Sequence, residues 1–233
     1  MKPKHHKQAL VTGGNRGIGF EIAKGLLAKG YTVTITARSL QQATQAAEEL
    51  AGPILPMQLD VTDDQAIHQA VATLGQRIGQ LDVLINNAGI YPDNGVSILT
   101  ISRELLETSM NTNAFGAIRM AQACLPLLKQ APNARIINVS SGFGALEDLS
   151  ATVSSYCQSK LALNGATIML AQALAADNIA VNALCPGWVR TDMGGSSAPR
   201  SPEQGADTAI WLASEAPQQE TGKFWRSRQV ISF

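Results

Sequence analysis

The chain has 233 residues, of which 45% are hydrophobic and 15% are charged, and its formal net charge at pH 7 is zero. A chain of this length can bury a full core, and its neutral balance gives it no electrostatic reason to bind nucleic acid or an anionic membrane. We therefore expect neither nucleic acid nor a membrane as a partner.

The cysteines indicate a reducing compartment. Cys124, Cys157 and Cys185 are odd in number and far apart along the chain. This pattern favours small buried thiols over disulfides, so we expect a cytoplasmic protein. The three histidines form no cluster with metal-ligand spacing, and we expect no metal site.

Neither the start of the chain nor its apolar segments predict a signal peptide or a membrane helix. Residues 1–7 are basic but precede only a short apolar run, and we expect them to form a flexible tail. The longest uncharged apolar segment, residues 161–176, is shorter than the roughly 20 residues that a membrane helix needs. No repeat or linker interrupts the remainder, so residues 8–233 are expected to form one domain.

The first junction between a strand and a helix carries a binding pattern. A short apolar strand, Gln8 to Thr12, leads into Gly13-Gly14-Asn15-Arg16-Gly17-Ile18-Gly19, and a helix is predicted from Phe20 to Lys29. Glycines permit a tight turn and let backbone N–H groups and the positive helix N-terminus approach a pyrophosphate. This order favours a dinucleotide-binding site over an ordinary glycine-rich loop.

The second strand, Tyr31 to Ala37, ends where such a fold holds the adenosine ribose. Arg38 follows it in place of Asp or Glu, and Arg16 lies in the glycine turn. Two guanidinium groups suit a 2′-phosphate, which a carboxylate would repel, so NADP(H) is favoured over NAD(H). The alternative is that the arginines are solvated loop charges.

Strand and helix patterns alternate along the rest of the chain. Helices are predicted at residues 40–50, 63–79, 102–111, 112–130, 156–176 and 202–214, and strands at 54–59, 81–85, 135–139, 178–184 and 223–231. Pro126 is expected to kink the last turns of its helix. The alternation predicts an α/β fold, a Rossmann-type doubly wound sandwich with a mostly parallel sheet of about seven strands and helices on both faces.

Polar residues follow several strands at the sheet edge where open α/β folds bind ligands. Asp60 and Val61 follow the third strand, and Asp60 either accepts a hydrogen bond from adenine or caps the next helix. The stretch Asn86-Asn87-Ala88-Gly89 follows the fourth, where small and amide residues let the backbone approach a cofactor and tie neighbouring strands together. Ser141 follows the fifth strand, and its hydroxyl can point into the crevice.

Tyr156 and Lys160 lie four residues apart on a predicted helix, and hence on one face, with Ser154 or Ser155 as the expected cap. A lysine beside a phenol favours the ionised form, so we expect the pKa of Tyr156 to fall from about 10 towards neutrality, as suits a general acid. Alone, such a pair could be a coincidence of composition. Asn113, a mid-helix amide among apolar residues, is as compatible with a structural role as with a catalytic one.

Together these stretches resemble the motifs of the short-chain dehydrogenase/reductase superfamily over nearly the whole chain. The segment from Thr12 to Gly19 is similar to its cofactor motif, and Asn86-Asn87-Ala88-Gly89 is similar to its structural motif. Its catalytic tetrad is matched by Asn113, Ser141, Tyr156 and Lys160. Segments 13–20, 185–193 and 201–206 resemble, more narrowly, the NADPH-dependent carbonyl reductase branch.

The resemblance implies that hydride passes from NADPH to the carbonyl of a small ketone, aldehyde or quinone. It implies that Tyr156 donates a proton to the carbonyl oxygen and that Ser141 hydrogen-bonds that oxygen. By the same resemblance, Lys160 favours the phenolate and binds the nicotinamide ribose, and Asn113 holds a water that links Lys160 to solvent. The implied cofactor-binding residues are Gly13, Asn15, Arg16, Gly17, Ile18, Gly19, Arg38, Asp60, Val61, Asn87, Ala88, Gly89, Tyr156, Lys160, Pro186, Gly187, Val189 and Thr191.

The chain departs from the single-subunit members of that branch in two ways. Those members carry a long insertion between their Ser and Tyr, whereas only residues 142–155 intervene here. The helices beginning near Thr112 and Tyr156 are then uncovered, and we expect a homodimer or homotetramer through them. The short segment 192–201 implies an open pocket for hydrophobic carbonyl compounds, whose expected walls are Tyr91, Trp188 and Met193.

Two other functions stay open. One is a dedicated metabolic dehydrogenase acting on an acyl thioester, a sugar or a steroid. The other is a redox sensor that binds NADPH without turnover, although the intact tetrad argues against it. An acyl carrier would need a basic patch near the site, and only Arg190 and Arg200 lie in the relevant loop.

Overall fold

The structure is a computed structural model that describes residues 6–233. Most of the predicted tail, residues 1–5, lies outside the described residues. The two tail residues that are described contact the turn after the first helix and the start of the strand that follows it. The Lys7 carbonyl accepts a hydrogen bond from Thr32 N at 2.9 Å, and His6 Nδ1 lies 3.2 Å from Gly30 O.

One sheet runs through the described residues. Its strands are β1 (Gln8–Val11), β2 (Thr32–Ala37), β3 (Ile54–Gln58), β4 (Val83–Asn86), β5 (Arg135–Val139), β6 (Ala180–Leu184), β7 (Phe224–Arg226) and β8 (Gln229–Ile231). They lie in the order β3-β2-β1-β4-β5-β6-β7-β8, with six parallel pairs and an antiparallel pair at β7 and β8. The α/β prediction is confirmed. The sheet gains an eighth strand because residues 223–231 turn back at Ser227 and Arg228, which both have positive φ.

The helices of the described residues alternate with the strands. They are α1 (Gly17–Ala28), α2 (Leu40–Leu50), α3 (Asp64–Gly75), α4 (Arg103–Met110), α5 (Gly116–Leu128), α6 (Ser154–Ala173) and α7 (Pro202–Ser214). A π-helical turn, Asn111–Phe115, joins α4 to α5, so the boundary predicted at residues 111–112 is a widened turn rather than a break. None of the helices in residues 6–233 is both long and apolar enough to cross a membrane.

The core has two layers, one on each face of the sheet. Alternate residues of a strand point to opposite faces, and β1 shows the result. Val11 packs in the layer that contains Ile22 of α1 and Leu212 of α7, whereas Leu10 packs in the layer that contains Met120 of α5. Because helices cover both faces of the sheet, β1 carries buried apolar residues on both of its sides.

Amide side chains tie the centre of the sheet together, as predicted for the stretch after β4. Asn86 Nδ2 donates to Asn138 Oδ1 on β5 at 2.9 Å, and Asn138 Nδ2 donates to Thr167 Oγ1 on α6 at 2.9 Å. Asn86 Nδ2 also lies 3.3 Å from the Ala117 carbonyl of α5. These buried bonds fix two strands and two helices relative to one another just below the carboxyl edge of the sheet.

Candidate active site

The glycine turn between β1 and α1 forms a cradle in which side chains have no room. Gly13 and Gly17 have φ values of 62° and 56°, a conformation that favours glycine. A Cβ atom on Gly19 would lie 2.3 Å from Gly13 O and 2.4 Å from Asn87 Nδ2. These glycines therefore let the backbone approach both itself and a bound group closely.

The N-terminus of α1 fits an anion at this cradle. Its N-cap residue, Arg16, makes no side-chain capping bond, and no acidic residue lies in the first turn. The free N–H groups of a first helical turn and the positive end of the helix dipole favour a phosphate. The residues present thus fit the pyrophosphate of a dinucleotide.

Asn87 and Thr12 hold the cradle against the end of β4. Asn87 Nδ2 donates to Thr12 O at 2.9 Å and to Gly13 O at 3.0 Å. Thr12 Oγ1 in turn accepts from Asn87 N and Ala88 N, both at 3.0 Å. The sequence prediction missed the role of Thr12, although its place at the start of the glycine motif could have indicated it.

The two arginines predicted to read a 2′-phosphate lie on the surface. Arg16 forms an ion pair with Asp192, and both side chains are mostly exposed. Arg38 is exposed directly after β2, and its backbone carbonyl accepts from Gln58 Nε2 at 3.0 Å. The pairing of Arg16 with Asp192 had no signal in the sequence, because 176 residues separate the two.

The residues after β3 serve the local backbone. Asp60 Oδ1 accepts from Thr62 N at 2.9 Å and from Thr62 Oγ1 at 2.8 Å, while Asp63 caps α3. Val61 is buried against the π-helical region, since a Cβ on Gly116 would lie 2.8 Å from Val61 O. Asp60 and Val61 thus lie at the carboxyl edge predicted for them, and their contact with adenine stays a prediction.

Tyr156 is buried within an aromatic group. Its ring centroid lies 4.7 Å from that of Tyr91 and 6.4 Å from that of Phe143. Lys160 Nζ lies 5.7 Å from the Tyr156 ring centroid and donates to Val139 O, at the end of β5, at 2.8 Å. Gly144 lets α6 come this close, because a Cβ there would lie 2.8 Å from the Lys160 carbonyl group.

Burial controls the protonation of both residues. It raises the pKa of the Tyr156 phenol above its usual 10, and the Ser141 hydroxyl offsets part of the rise. Burial also lowers the pKa of Lys160 to about 8. The expected fall in the pKa of Tyr156 is therefore wrong for this structure, because the lysine is bonded to Val139 O and desolvation of the phenolate dominates.

Ser141 stands at the end of β5, beside Tyr156. It is the N-cap of a 3₁₀ turn, Gly142–Gly144, and its Oγ accepts from Phe143 N at 3.2 Å. The next amide, Gly142 N, donates to Cys185 Sγ at 3.1 Å. Because Ser141 Oγ accepts this bond, its hydroxyl hydrogen remains available as a donor, and the neighbouring Tyr156 oxygen is one group that it stabilises.

Asn113 lies in the π-helical turn, and its side-chain amide is hydrogen-bonded to protein partners at both the oxygen and the nitrogen. Its Oδ1 accepts from Ile90 N at 2.8 Å, and its Nδ2 donates to Ile90 O and Ser159 Oγ, each at 2.9 Å. A Cβ on Gly89 would lie 3.1 Å from Asn113 Oδ1 and 3.5 Å from Lys160 Nζ. Asn113 and Lys160 therefore lie beside the same stretch of backbone, at Gly89. Single π-helical turns such as this one are frequent at functional sites.

The segment after β6 reaches back to the glycine turn. Thr191 Cγ2 lies 3.2 Å from where a Cβ of Gly17 would be. Gly187 has a φ of 80°, and a Cβ there would lie 2.6 Å from the Arg200 side chain. Pro186 precedes this turn, and Val189 is buried beyond it. The predicted nicotinamide-binding segment is thus next to the predicted phosphate cradle.

The predicted cap of α6 is wrong. Ser154 and Ser155 lie inside the first turn, and the N-cap residue is Val153. The capping acceptor is Asp93, from the loop after β4: its Oδ2 accepts from Ser155 N at 2.6 Å and from Tyr156 N at 3.3 Å. A cap supplied by a distant loop leaves no mark on the local sequence.

The remaining pocket residues are only partly enclosed. Tyr91 is half-buried against Tyr156, whereas Trp188 and Met193 are about half exposed, 56% and 47%. Trp188 Nε1 donates to Gly194 O at 2.8 Å, which anchors the short segment. Within residues 6–233, no three His, Cys, Asp or Glu side chains are grouped so that they could hold a metal ion.

A parallel sheet with a glycine cradle and a buried Tyr–Lys pair at its carboxyl edge defines a class of nicotinamide-dependent oxidoreductases. The family model described as short chain dehydrogenase matches residues 7–201. The protein belongs to the short-chain dehydrogenase family, and it is an oxidoreductase of that family.

Named relatives cover nearly the whole chain. The chain is 32% identical to (+)-neomenthol dehydrogenase of Arabidopsis thaliana, with all of both chains covered. It is 34% identical to carbonyl reductase [NADPH] 1 of Homo sapiens, over 95% of this chain and 96% of that one. A crystal structure of NADPH-bound carbonyl reductase from chicken fatty liver has a TM-score of 0.90 at 30% identity and covers 98% and 94% of the two chains.

Proposed function

We propose that the protein reduces the carbonyl group of a small ketone, aldehyde or quinone with NADPH, and that Tyr156 donates the proton. The observation that carries this proposal is the grouping of Ser141, Tyr156 and Lys160 at the carboxyl end of β5. The names of the human and chicken relatives support the same chemistry.

The cofactor-binding residues follow from the cradle. Backbone groups of Gly13 to Gly19 and of Asn87 to Gly89 would hold the pyrophosphate and the neighbouring ribose, with Asp60 and Val61 at the adenine. Val189 and Thr191, next to the cradle, would hold the nicotinamide carboxamide. When bound, the cofactor supplies the hydride.

The protein's own residues then manage the proton. Tyr156 stays protonated at neutral pH because burial raises the pKa of its phenol, so it is ready to act as an acid. Ser141 holds the carbonyl oxygen and stabilises its developing charge. Lys160, whose pKa is lowered to about 8, carries a charge at pH 7 that favours the phenolate left behind. Asn113 would hold the water that links the buried Lys160 to solvent, and its bonds to Ile90 and Ser159 fix it beside Lys160.

The preference for NADP(H) rests on Arg16 and Arg38. Both guanidinium groups are exposed, and the carboxyl end of β2 bears no acidic residue that would repel a 2′-phosphate. Arg16 would exchange its surface ion pair with Asp192 for the phosphate, and an exposed pair of this kind costs little to break.

The substrate enters an open, largely apolar site. Tyr91 and Phe143 border Tyr156 directly, and Trp188 and Met193 are exposed on the short segment after β6. Such walls suit hydrophobic carbonyl compounds better than sugars or charged substrates. The plant relative acts, by its name, on (+)-neomenthol, which makes cyclic ketones a useful class to test.

We also propose that residues 8–233 form one domain of a cytoplasmic protein. Strands from the whole length of that range join one sheet. The three cysteines are buried and free, and burial raises the pKa of the Cys124 thiol to about 12. Free thiols buried in this way suit a reducing compartment.

Substitution of Tyr156 by Phe tests the proposed chemistry, because it removes the acid and keeps the ring. We expect kcat to fall by at least about 100-fold, as is typical for the loss of a general acid. The affinity for NADPH, measured by fluorescence titration, should stay nearly unchanged. The matched control is Tyr31→Phe, which removes a buried hydroxyl that donates to Ala213 O at 3.0 Å outside the site and should leave kcat within about threefold of the wild-type value.

The proposal would be overturned if Tyr156→Phe kept more than about a hundredth of wild-type turnover. If the wild-type protein bound NADPH tightly but did not oxidise it with any carbonyl compound, the alternative function as a redox sensor would be supported instead.

A further inference from the structure

Asp93 has a carboxylate that is completely buried beside α6, the helix that carries Tyr156 and Lys160. Its relative exposure is 0%, and it lies in the loop that follows β4. Oδ2 accepts the amide hydrogens of Ser155 and Tyr156, at 2.6 Å and 3.3 Å. Within the described residues, the buried Oδ1 has no hydrogen-bond partner.

The environment of Asp93 shows what balances its charge. A buried carboxylate is costly unless it is paired or hydrogen-bonded. The first turn of α6 contains no acidic residue, and its N-cap, Val153, supplies no side-chain acceptor. The positive N-terminal end of α6 and its two free amides are therefore the groups that stabilise Asp93. One of these amides belongs to Tyr156 itself.

The loop around Asp93 is also hydrogen-bonded to the start of α6 and to the residues just before it. Ile98 N donates to Ala151 O at 2.8 Å, and Ser154 Oγ donates to Val96 O at 3.3 Å. At the other end, Ile90 is bonded through both its amide and its carbonyl to Asn113. We call residues 90–98 the strap. It connects the π-helical turn to the start of α6, with Asp93 in the middle.

The ring of Tyr91 adds a side-chain contact to these backbone bonds. It lies 4.7 Å from the Tyr156 ring. Burial raises the pKa of Tyr91, and the charge of Asp93 raises it further. The strap therefore touches Tyr156 in two places: at its backbone amide through Asp93 and at its ring through Tyr91.

We propose that Asp93 is a positioning residue for the reaction: by accepting the amides of Ser155 and Tyr156, it fixes where the phenol of Tyr156 stands. It acts through the helix and touches neither substrate nor cofactor. The inference rests on the proposed function for its effect on turnover, but the capping itself can be measured without substrate.

The chain offers a matched control in Asp63. Its Oδ1 accepts from Gln65 N at 2.8 Å and from Ala66 N at 3.1 Å, so it caps α3 as Asp93 caps α6. No proposed catalytic residue lies on α3. Loss of either cap should destabilise the protein, and only loss of the Asp93 cap should displace Tyr156.

The first test compares Asp93→Ala with Asp63→Ala. We expect Asp93→Ala to lower kcat by about 10- to 100-fold, the scale of an ångström-sized misplacement of a catalytic group. Its Kd for NADPH should stay within about threefold of wild type, because the cradle is not touched. Asp63→Ala should leave kcat within about twofold, although its unfolding midpoint falls. Equal loss of kcat in both variants would overturn the proposal.

The second test separates the acceptor from the charge and does not depend on turnover. Asp93→Asn keeps one oxygen acceptor and should regain most of the kcat lost in Asp93→Ala. If the alanine variant does not fold, the kcat and the hydrogen exchange of Asp93→Asn can still be measured. Hydrogen exchange of residues 153–158 should rise in Asp93→Ala and stay near wild type in Asp93→Asn and Asp63→Ala.

The outcomes distinguish the two proposals. Fast exchange in Asp93→Ala together with unchanged kcat would make Asp93 a cap without a positioning role. Unchanged exchange would mean that Asp93 does not hold the helix start. Turnover that survives Tyr156→Phe would overturn the proposed function and leave the exchange result standing.

Discussion

At the scale of a single residue, Lys160 lowers the stability of the fold while it serves the proposed reaction. The side chain is almost fully buried, and Val139 O is its hydrogen-bond partner at 2.8 Å. Burial lowers its pKa from 10.5 to about 8. A shift of that size corresponds to about 3 kcal/mol of unfavourable burial of the charged amine.

Replacement of Lys160 by Met should therefore stabilise the fold while abolishing turnover. At pH 7 we expect a net gain of about 1–2 kcal/mol in the free energy of unfolding, because relief from desolvation exceeds the loss of a single hydrogen bond. Denaturant unfolding at constant ionic strength measures the difference. The exposed Lys24→Met is the control and should change stability by less than about 0.5 kcal/mol.

The pH dependence of this difference has a defined sign. Between pH 8 and 10.5 the unfolded state binds the Lys160 proton more tightly than the folded state does. The wild-type protein is therefore stabilised relative to Lys160→Met as pH rises through that window. The gap between the two proteins should narrow from pH 7 to pH 9.5, a range in which the Lys24→Met control shows no matching change. The account would be contradicted if Lys160→Met were less stable than the wild-type protein and if the difference in their free energies of unfolding did not change with pH.

At the scale of elements, periodicity predicted most of the helices and strands. Residues 40–50, 135–139 and 202–214 match the observed elements end to end, because their apolar spacing and flanking residues are local signals. The π-helical turn, the hairpin of β7 and β8 and the start of α6 were not predictable in this way. Each depends on contacts with distant residues, such as the capping of α6 by Asp93.

We propose that the helices starting near Thr112 and Tyr156 form the interface of a homodimer or homotetramer. Phe115 is 48% exposed and Met169 on α6 is 63% exposed, and large apolar side chains in such positions are typical of interaction surfaces. We expect sedimentation at micromolar concentration to give a multiple of 24.6 kDa.

Charged substitutions locate this interface. Phe115→Glu combined with Met169→Lys should lower the mass to that of one chain. The control is Leu40→Lys, an equally exposed apolar residue on α2, and it should not change the mass. A wild-type protein that sediments as a monomer would contradict the proposed assembly.

At the scale of the whole molecule, the carboxyl edge of the sheet gathers residues from almost the entire chain. The glycine turn, the end of β4, Ser141 and the segment after β6 come together there because parallel strands all end at the same edge. The sequence order of strands and motifs was enough to predict this convergence. It could not show the contact of Tyr91 with Tyr156, the pairing of Arg16 with Asp192 or the dominance of burial over charge at Tyr156, since these depend on packing in three dimensions.

The central claim is tested most directly by oxidation of NADPH and NADH in parallel, with a panel of hydrophobic aldehydes, cyclic ketones and quinones. We predict turnover with several members of the panel and a kcat/KM for NADPH at least about tenfold above that for NADH, since ionic contacts to a 2′-phosphate discriminate by more than about 1.4 kcal/mol. In the double variant Arg16→Ala/Arg38→Ala this preference should disappear, because the kcat/KM for NADPH falls while the kcat/KM for NADH does not change. Equal use of the two cofactors by the wild-type protein, or no oxidation of either with any carbonyl compound, would contradict the account.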